Sequence, residues 1–160
     1  MKSLVVYYSR TGQTKRVADE LASALGADVE ELKDGKNRNG PIQFIMSGRE
    51  ALKKQRVHLE PMAHYPADYD AVVVGSPIWA GTICTPVRTF LGQYKAQLKN
   101  VAWFCTSGSI DPKYAANGFQ AMTEESGLAP VTTLGMGRKE IKGDHSDKVS
   151  AFTAAVKASR

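Results

Sequence analysis

The amino-acid sequence predicts an α/β fold in which a doubly wound, five-stranded parallel sheet carries helices on both faces, as a three-layer sandwich. Three segments are almost continuously apolar, which is typical of parallel strands buried on both faces. Helical patterns alternate with the strands, and parallel neighbours need such crossover helices between them. The alternation predicts one sheet in a single domain over residues 1–160.

Five segments form the predicted strands. The apolar ones, predicted to be central, are residues 4–8, 71–75 and 101–106. Residues 28–32 mix polar and apolar side chains, and residues 131–134 carry Thr132 and Thr133 behind Pro130. Both patterns are typical of sheet edges.

Four helices follow the strands, each with a start or stop signal. Residues 14–25 end at Gly26, Pro86 and Pro112 stand at the first position of the next two helices, and the last begins near Ser146. Their apolar stripes consist of Val17, Leu21 and Leu25; Val87, Phe90, Leu91 and Tyr94; Ala115, Phe119 and Met122; and Val149, Phe152 and Val156.

The segment from residue 33 to residue 70 is long for a single connection. Residues 33–40 are polar and contain glycine, which predicts a surface loop. Residues 41–56 predict a helix that carries the apolar side chains Ile42, Ile45, Met46 and Leu52.

The composition is that of a globular protein. Of 160 residues, 42% are hydrophobic and 23% are charged, which permits a substantial core. No apolar run approaches the ~18 residues of a membrane span, and the expected location is the cytoplasm. Cys84 and Cys105 lack the spacing of a metal site or a disulfide framework, so both are predicted to be reduced thiols.

The net charge is +5, from 21 basic and 16 acidic side chains. Bases cluster around residues 49–56, but no aromatic side chains interleave with them as a platform for nucleic acid requires. No nucleic-acid partner is therefore predicted. A solvated helix face and a surface for an acidic partner both explain the cluster.

The residues after each central strand decide the function, because doubly wound sheets bind ligands beyond the carboxyl ends of their strands. The first strand is followed by Ser9, Arg10, Thr11, Gly12, Gln13 and Thr14. Hydroxyls, a glycine and the free amides of a helix start predict a phosphate site. In the structural alternative, Thr11 merely caps the helix and Gly12 merely shapes the turn.

The second turn reads Gly75-Ser76-Pro77-Ile78-Trp79-Ala80-Gly81-Thr82. A tryptophan on a surface loop favours a flat apolar partner such as an aromatic ring system. Packing of Trp79 on its own domain explains the residue equally well. The third turn, Thr106-Ser107-Gly108-Ser109, offers small polar groups to a ligand.

Other chemistries of this architecture lack their residues. A receiver domain needs acids where Ser9 and Ser76 stand, and a Cys-x5-Arg phosphatase loop needs arginine at Asp111. The serine-hydrolase elbow, the Walker A run and the three-glycine dinucleotide motif are missing from the sequence. No metal site is predicted, because the three histidines, His58, His64 and His145, show no ligand spacing and are interpreted as surface or loop residues.

Together the three turns resemble the flavodoxin family over residues 2–134. The segment from Tyr8 to Thr14 resembles its phosphate loop, residues 75–81 with the following helix resemble its second flavin loop, and residues 106–109 resemble the third. The resemblance implies the strand order 2-1-3-4-5, with FMN at the switch between the first and third strands. The cofactor-binding residues that it implies are Ser9, Arg10, Thr11, Gly12, Gln13, Thr14, Pro77, Ile78, Trp79, Ala80, Gly81, Thr82, Thr106, Ser107, Gly108 and Ser109.

The function implied by this resemblance is electron transfer through noncovalent FMN. No catalytic side chain is expected, because the flavin carries the chemistry. A carrier would serve a redox partner protein or a small-molecule acceptor. The alternatives are an NAD(P)H-dependent oxidoreductase acting on a quinone or similar acceptor and a flavin-free interaction domain. Unlike typical flavodoxins the chain is basic, and its second loop lacks acids.

Overall fold

The computed structural model describes residues 1–109 and 111–159. Its strands are β1 (Ser3–Tyr7), β2 (Asp28–Glu31), β3 (Ala71–Trp79), β4 (Thr82–Ile83), β5 (Val101–Ser107) and β6 (Thr133–Gly137). Its helices are α1 (Gln13–Leu25), α2 (Pro41–Leu52), α3 (Thr85–Tyr94), α4 (Pro112–Ser126), α5 (Arg138–Lys142) and α6 (Ser146–Ala158). Within these two ranges, no helix has both the length and the apolar character needed to cross a membrane.

Five of the strands run parallel in the order β2-β1-β3-β5-β6. Val5 at the centre of β1 pairs with Val29 on one side and with Val73 on the other. The short β4 stands off this path and pairs with β3. The predicted five-stranded parallel sheet and its strand order are therefore confirmed.

Helices cover both faces of the sheet. Because successive strand residues point to opposite faces, Leu4 and Val6 join the core beneath α3 and α4, whereas Val5 and Tyr7 join the core beneath α1 and α6. All four side chains are buried. Full burial of an aliphatic side chain is worth about 1.5–3 kcal/mol, which explains why the central strands are apolar without alternation.

β3 is longer than the sequence predicts. It continues past Gly75 to Trp79 and turns back into β4 through Ala80 and Gly81, whose φ angles of 50° and 80° suit a two-residue hairpin turn. The prediction of a surface loop here is wrong, because glycine and proline usually mark strand ends. Gly75 instead makes room within the sheet, since a Cβ there would lie 1.9 Å from the Phe104 ring.

The last strand, β6, lies later in the chain than the predicted residues 131–134. The predicted strand stops before Gly135, because glycine usually marks a strand end. A Cβ on Gly135 would lie 2.6 Å from the Cβ of Ala115, so the glycine allows α4 to pack closely on the strand. The shift places Arg138 directly after the carboxyl end of β6.

Helix α2 ends at Leu52, before the predicted residue 56, and its apolar stripe faces away from the core. Its buried residues are the small Ser47 and Ala51. The exposed large apolar residues of the helix are Ile42, Phe44, Ile45, Met46 and Leu52. Its periodicity therefore predicts the helix but not the direction that its apolar face takes.

A hydrogen-bonded pair ties the loop before α6 to α1. The side chain of His145 is only 8% exposed and its Nε2 donates to the Glu20 carboxylate. Nδ1 lies 2.9 Å and 3.0 Å from the carbonyl oxygens of Glu140 and Gly143. Both ring nitrogens face acceptors, so the doubly protonated, positively charged ring is the form that satisfies all of these contacts. The hydrogen bond to Glu20 raises the pKa of His145, although burial alone would lower it.

We expect this pair to make stability depend on pH. Because the pKa of His145 is raised in the folded state, the pair contributes its full stability below the ordinary histidine pKa of about 6.5. This contribution is lost as pH rises through the folded-state pKa. Glu20→Gln should therefore reduce the free energy of unfolding more at about pH 6 than at about pH 9, as measured by urea denaturation. Glu124→Gln, which removes an exposed carboxylate on α4, is the matched control. An equal loss for Glu20→Gln at both pH values would contradict the charged pair.

Candidate functional site

A cleft of about 220 Å³ opens at the carboxyl ends of β1, β3 and β5. The crossover helix after β1 lies on one face of the sheet and the helix after β3 lies on the other. This is the switch point at which doubly wound sheets bind ligands. The cleft is lined by Arg10, Thr11, Gln13, Thr14, Phe44, Pro77, Ile78, Trp79, Thr106, Ser107, Gly108 and Arg138.

The N-terminus of α1 borders this cleft without a cap. Gly12 stands at the N-cap in a left-handed conformation, with φ of 94°, and no side chain caps the helix. Within the described ranges, the backbone amides of Gln13, Thr14 and Lys15 donate to no protein acceptor. Such amides and the helix dipole together form an anion site. Thr11 does not act as the cap that the structural alternative requires.

Hydroxyl groups hold the loop between β1 and α1 in place. The Gly12 amide donates to Ser9 Oγ at 3.1 Å. The buried hydroxyls of Thr14 and Thr106 lie 2.8 Å apart and join the start of α1 to the end of β5. One of them donates to the other, so a single hydroxyl proton of the pair is left for a ligand. Thr11 Oγ1 makes no hydrogen bond to the described residues and borders the cleft.

The charged residues that line the cleft are both basic. Arg10 stacks its guanidinium 4.9 Å from the centroid of the Phe44 ring. Arg138 is exposed at the start of α5. No acid stands among the described lining residues, so the cleft is suited to a negatively charged group.

Trp79 forms a wall of the cleft from within the β3–β4 hairpin. Only 6% of the residue is exposed. Tyr8 meets its ring edge-on at a centroid distance of 5.5 Å, and the Arg38 guanidinium lies over the ring at 4.9 Å. Burial raises the pKa of the Tyr8 phenol to about 12. Trp79 is thus packed on its own domain and also borders the cleft.

Arg38 anchors the segment that carries α2. It is 4% exposed, and it donates to Asp34 Oδ2 at 2.8 Å and to Ser47 Oγ at 2.7 Å. Glu50 Oε2 lies 3.0 Å from Nη1. Burial alone would lower the pKa of Arg38, but the hydrogen bonds and charges of Asp34 and Glu50 outweigh it and raise the pKa. This cluster holds the guanidinium against Trp79.

Several predicted residues lie beside the cleft rather than on its wall. The Gly12 amide donates to Ser9 Oγ. The Ser109 carbonyl oxygen accepts a hydrogen bond from Ser107 Oγ at 2.9 Å. Thr82 Oγ1 accepts one from the Arg88 guanidinium at 3.1 Å. The members of this group are Ser9, Gly12, Ala80, Gly81, Thr82 and Ser109. The other predicted residues line the cleft together.

Two lining residues, Phe44 and Arg138, were missed by sequence reasoning. Arg138 follows a strand end and would have been found if the sequence had located β6 correctly. Phe44 lies on α2, and no signal in the sequence indicates that this helix reaches the cleft.

The cysteines offer no reactive thiolate beside the cleft. Burial raises the pKa of Cys84 to about 12 and raises that of Cys105 as well. Among residues 1–109 and 111–159, no three His, Cys, Asp or Glu side chains come together as a metal site. The described residues of the cleft thus combine free helix amides, two arginines and an aromatic wall.

The chain is similar to one protein family and to several solved structures. A protein-family model described as flavodoxin matches residues 2–135. A flavoprotein from Bacteroides eggerthii DSM 20697 has 22% sequence identity, with 98% of each chain covered and a TM-score of 0.78. The flavoprotein from Lactobacillus acidophilus NCFM, solved in complex with FMN, has 23% identity over 88% of this chain and 96% of that one, with a TM-score of 0.70. Oxidised Flavodoxin 2 from Bacillus cereus shares 20% identity over 98% of each chain, with a TM-score of 0.58.

We expect Arg38→Met to destabilise the protein and to loosen Trp79. Asp34 and Glu50 are only 2% and 17% exposed in their side chains, and removing the cation from a buried pair costs about 3–5 kcal/mol. Urea denaturation measures the loss. Quenching of the tryptophan fluorescence by acrylamide should increase. The increase should come from Trp79, because Trp103 is fully buried.

Arg16→Met is the control for this substitution. Its guanidinium is exposed and pairs with Glu20 at 3.4 Å, so its loss should cost about 0–1 kcal/mol. An Arg38→Met protein as stable as the parent would show that the cluster does not anchor this segment.

Proposed function

Because the chain belongs to the flavodoxin family, we propose that it binds FMN without a covalent bond and passes electrons through it. Family membership and the FMN complex of the Lactobacillus acidophilus flavoprotein support FMN as the cofactor. The observation that carries the proposal is the uncapped start of α1, whose free amides border a cleft with an aromatic wall.

The residues present fit the phosphate of FMN. The amides of Gln13, Thr14 and Lys15 lack protein acceptors among the described residues, and Thr11 adds a free hydroxyl. A Cβ on Gly12 would meet nothing within 4 Å, so the backbone borders open space there. Arg10 contributes positive charge. We assign the phosphate to the loop from Ser9 to Thr14 on these grounds.

The flat ring system would lie against Ile78 and Trp79. Arg38 already covers one face of the Trp79 ring, so Trp79 has one face to offer. The backbone of Ala80 and Gly81 at the hairpin turn and the polar groups of residues 107–109 would meet the other edges of the ring. Gly108 leaves room for such an approach, since its Cβ would meet nothing within 4 Å.

FMN supplies the redox chemistry when it is bound. The chain's own part is to hold the phosphate, to orient the ring and to shield one side of it. We assign no catalytic side chain, because the flavin itself would carry the redox chemistry. The electrons would pass to a redox partner protein or to a small-molecule acceptor.

FMN should bind at least ~100-fold more tightly than riboflavin, because riboflavin lacks the phosphate and each charge-assisted hydrogen bond is worth about 1.5–3 kcal/mol. Thr11→Val should weaken FMN by roughly tenfold or more and leave riboflavin unchanged. Titration of the apoprotein with each flavin measures both effects. Equal affinities for the two flavins would refute the phosphate assignment.

Two variants serve as controls for this titration. Thr133→Val alters an exposed threonine on β6 and should change neither affinity. Trp79→Leu should weaken both flavins by about the same factor, because the ring that Trp79 contacts is common to them. A Trp79→Leu effect on FMN alone would show that the ring does not lie against this side chain.

An NAD(P)H-dependent oxidoreductase that acts on a quinone or similar acceptor is the second candidate function. It is favoured by the lack of acids among the described lining residues, since basic surroundings stabilise the negative charge that two-electron reduction brings.

Anaerobic addition of NAD(P)H to the FMN-loaded protein separates the two functions. As a carrier, the protein should keep its visible flavin absorbance for minutes with NAD(P)H alone. Rapid bleaching that a quinone then reverses would favour the oxidoreductase. The FMN-loaded Trp79→Leu protein is the control, because it shows whether the rate of bleaching depends on the flavin ring lying against Trp79.

A further inference from the structure

The β3–β4 hairpin, which carries the Trp79 wall of the cleft, contacts two buried arginines. Arg38 and Arg88 are 4% and 2% exposed, and no other arginine or lysine within residues 1–109 and 111–159 is buried. Arg38 lies over the Trp79 ring on β3. Arg88 belongs to α3, and its Nη2 donates to Thr82 Oγ1 on β4 at 3.1 Å. Each strand of the hairpin is therefore in contact with a buried cation.

A carboxylate on α4 holds Arg88 in this position. Glu125 Oε1 accepts a hydrogen bond from Arg88 Nη1 at 2.6 Å, and the Glu125 side chain is 14% exposed. Burial alone would raise the pKa of Glu125, but the hydrogen bonds and charges of Arg88 and Arg56 outweigh it and lower the pKa. The carboxylate is therefore ionised at neutral pH and fixes the Arg88 guanidinium between α4 and β4.

Arg56 binds the same carboxylate without bonding to the hairpin. It donates from Nη2 to Glu125 Oε2 at 2.7 Å and from Nη1 to the Arg88 carbonyl oxygen at 2.8 Å. Its side chain is 51% exposed. Gly92 gives it room on α3, since a Cβ there would collide with the guanidinium. Arg56 thus links α3 to α4, whereas Arg88 links these helices to β4 as well.

The chemistry of the buried pair indicates more than helix packing. Apolar side chains of similar volume often hold two helices as well as a buried ion pair does, because they carry no desolvation penalty. They provide no directed bond, however. A guanidinium donates several hydrogen bonds in a fixed planar geometry, so Arg88 fixes the Thr82 hydroxyl relative to Glu125. The pair is therefore suited to setting the position of β4.

The position of β4 is transmitted directly to the wall of the cleft. The amide of Cys84 donates to Ser76 Oγ at 3.0 Å and closes the base of the hairpin. Thr82 pairs with Trp79 across the two strands, and the turn between them consists of residues 80–81 alone. A shift of Thr82 therefore displaces both the turn and Trp79.

We propose that Arg88 is a positioning residue of the cofactor cleft, which holds β4 through Thr82 and thereby keeps Trp79 and the turn at residues 80–81 in place for the flavin ring. The inference rests on the proposed function, in which these parts of the hairpin meet the ring. Arg88 does not line the cleft, so it acts through the hairpin. Its loss should weaken FMN and riboflavin by the same factor, because the ring is common to both.

The test compares Arg88→Met/Glu125→Leu with Arg56→Met. The double substitution replaces the whole buried pair by apolar side chains, which leaves no charge of the pair uncompensated, and it removes the bond to Thr82. Arg56→Met removes the other arginine of the same carboxylate and keeps that bond. Titration of the FMN-free proteins should show both flavins weakened about tenfold in the double variant, as expected for the loss of one hydrogen bond to a charged group. Arg56→Met should change neither affinity.

Amide hydrogen exchange measures the hairpin without any flavin. In the FMN-free protein, a peptide that spans residues 76–84 should exchange faster in the double variant than in the parent, because β4 has lost its anchor. Thr82→Val removes only the acceptor of the Arg88 bond and should give a similar increase. Added to the double variant, it should have no further effect, since both changes remove the same bond. Arg56→Met should leave the exchange of this peptide as it is in the parent.

Several outcomes would overturn the proposal. Unchanged flavin affinities in the folded double variant would make Arg88 a link between α3 and α4 only, whatever the exchange of the hairpin. Equal effects of Arg56→Met and the double variant, or a loss of affinity for FMN alone, would also contradict a role through the hairpin. A parent protein that binds neither flavin would instead refute the proposed function, and faster exchange in the double variant would then still support Arg88 as the residue that positions β4.

Discussion

The pairing of β1 with β2 on one side and β3 on the other is the constraint on which the rest of the structure depends. Because the chain proceeds outward from β1 in both directions, the crossover helices after β1 and β3 must lie on opposite faces of the sheet. These two helices therefore diverge at this edge and leave a crevice between the strand ends. The start of α1 is left open at that edge, and its unbonded amides become available to an anion without any special side chain. Topology therefore opens the end of the site that we propose for the phosphate.

The end of the site that we propose for the flavin ring has a different physical origin. Its wall is Trp79, whose position is set by a hairpin turn on one side and by the Arg38 guanidinium on the other. Arg38 in turn depends on Asp34 and Glu50, which compensate its burial. The long connection between β2 and β3 is thus not a spacer. It brings a buried charge cluster and α2 to the cleft and completes a wall that the sheet by itself does not supply.

The sequence predicted those features that follow from burial and failed where glycine serves close packing. The central strands were found because both faces are covered, and the α1 loop was found because its residues follow a strand end. The hairpin was missed because Gly75 looks like a strand terminator, whereas it makes room for Phe104. The helix α2 was predicted, but a periodic stripe cannot tell which way an apolar face points. Phe44 was missed for that reason, since its contact with the cleft depends on tertiary packing.

The two ends of the site depend on different contacts. A substitution can therefore weaken binding at one end without changing the free energy of binding at the other. The phosphate end rests on the β1–α1 turn and on the bond between Thr14 and Thr106, which ties that turn to β5. The end proposed for the ring rests on the hairpin and on the Arg38 cluster, which holds the guanidinium against Trp79. A change in the cluster moves the Trp79 wall and leaves the α1 amides in place. Affinity for the proposed ring can therefore vary while affinity for the proposed phosphate stays the same.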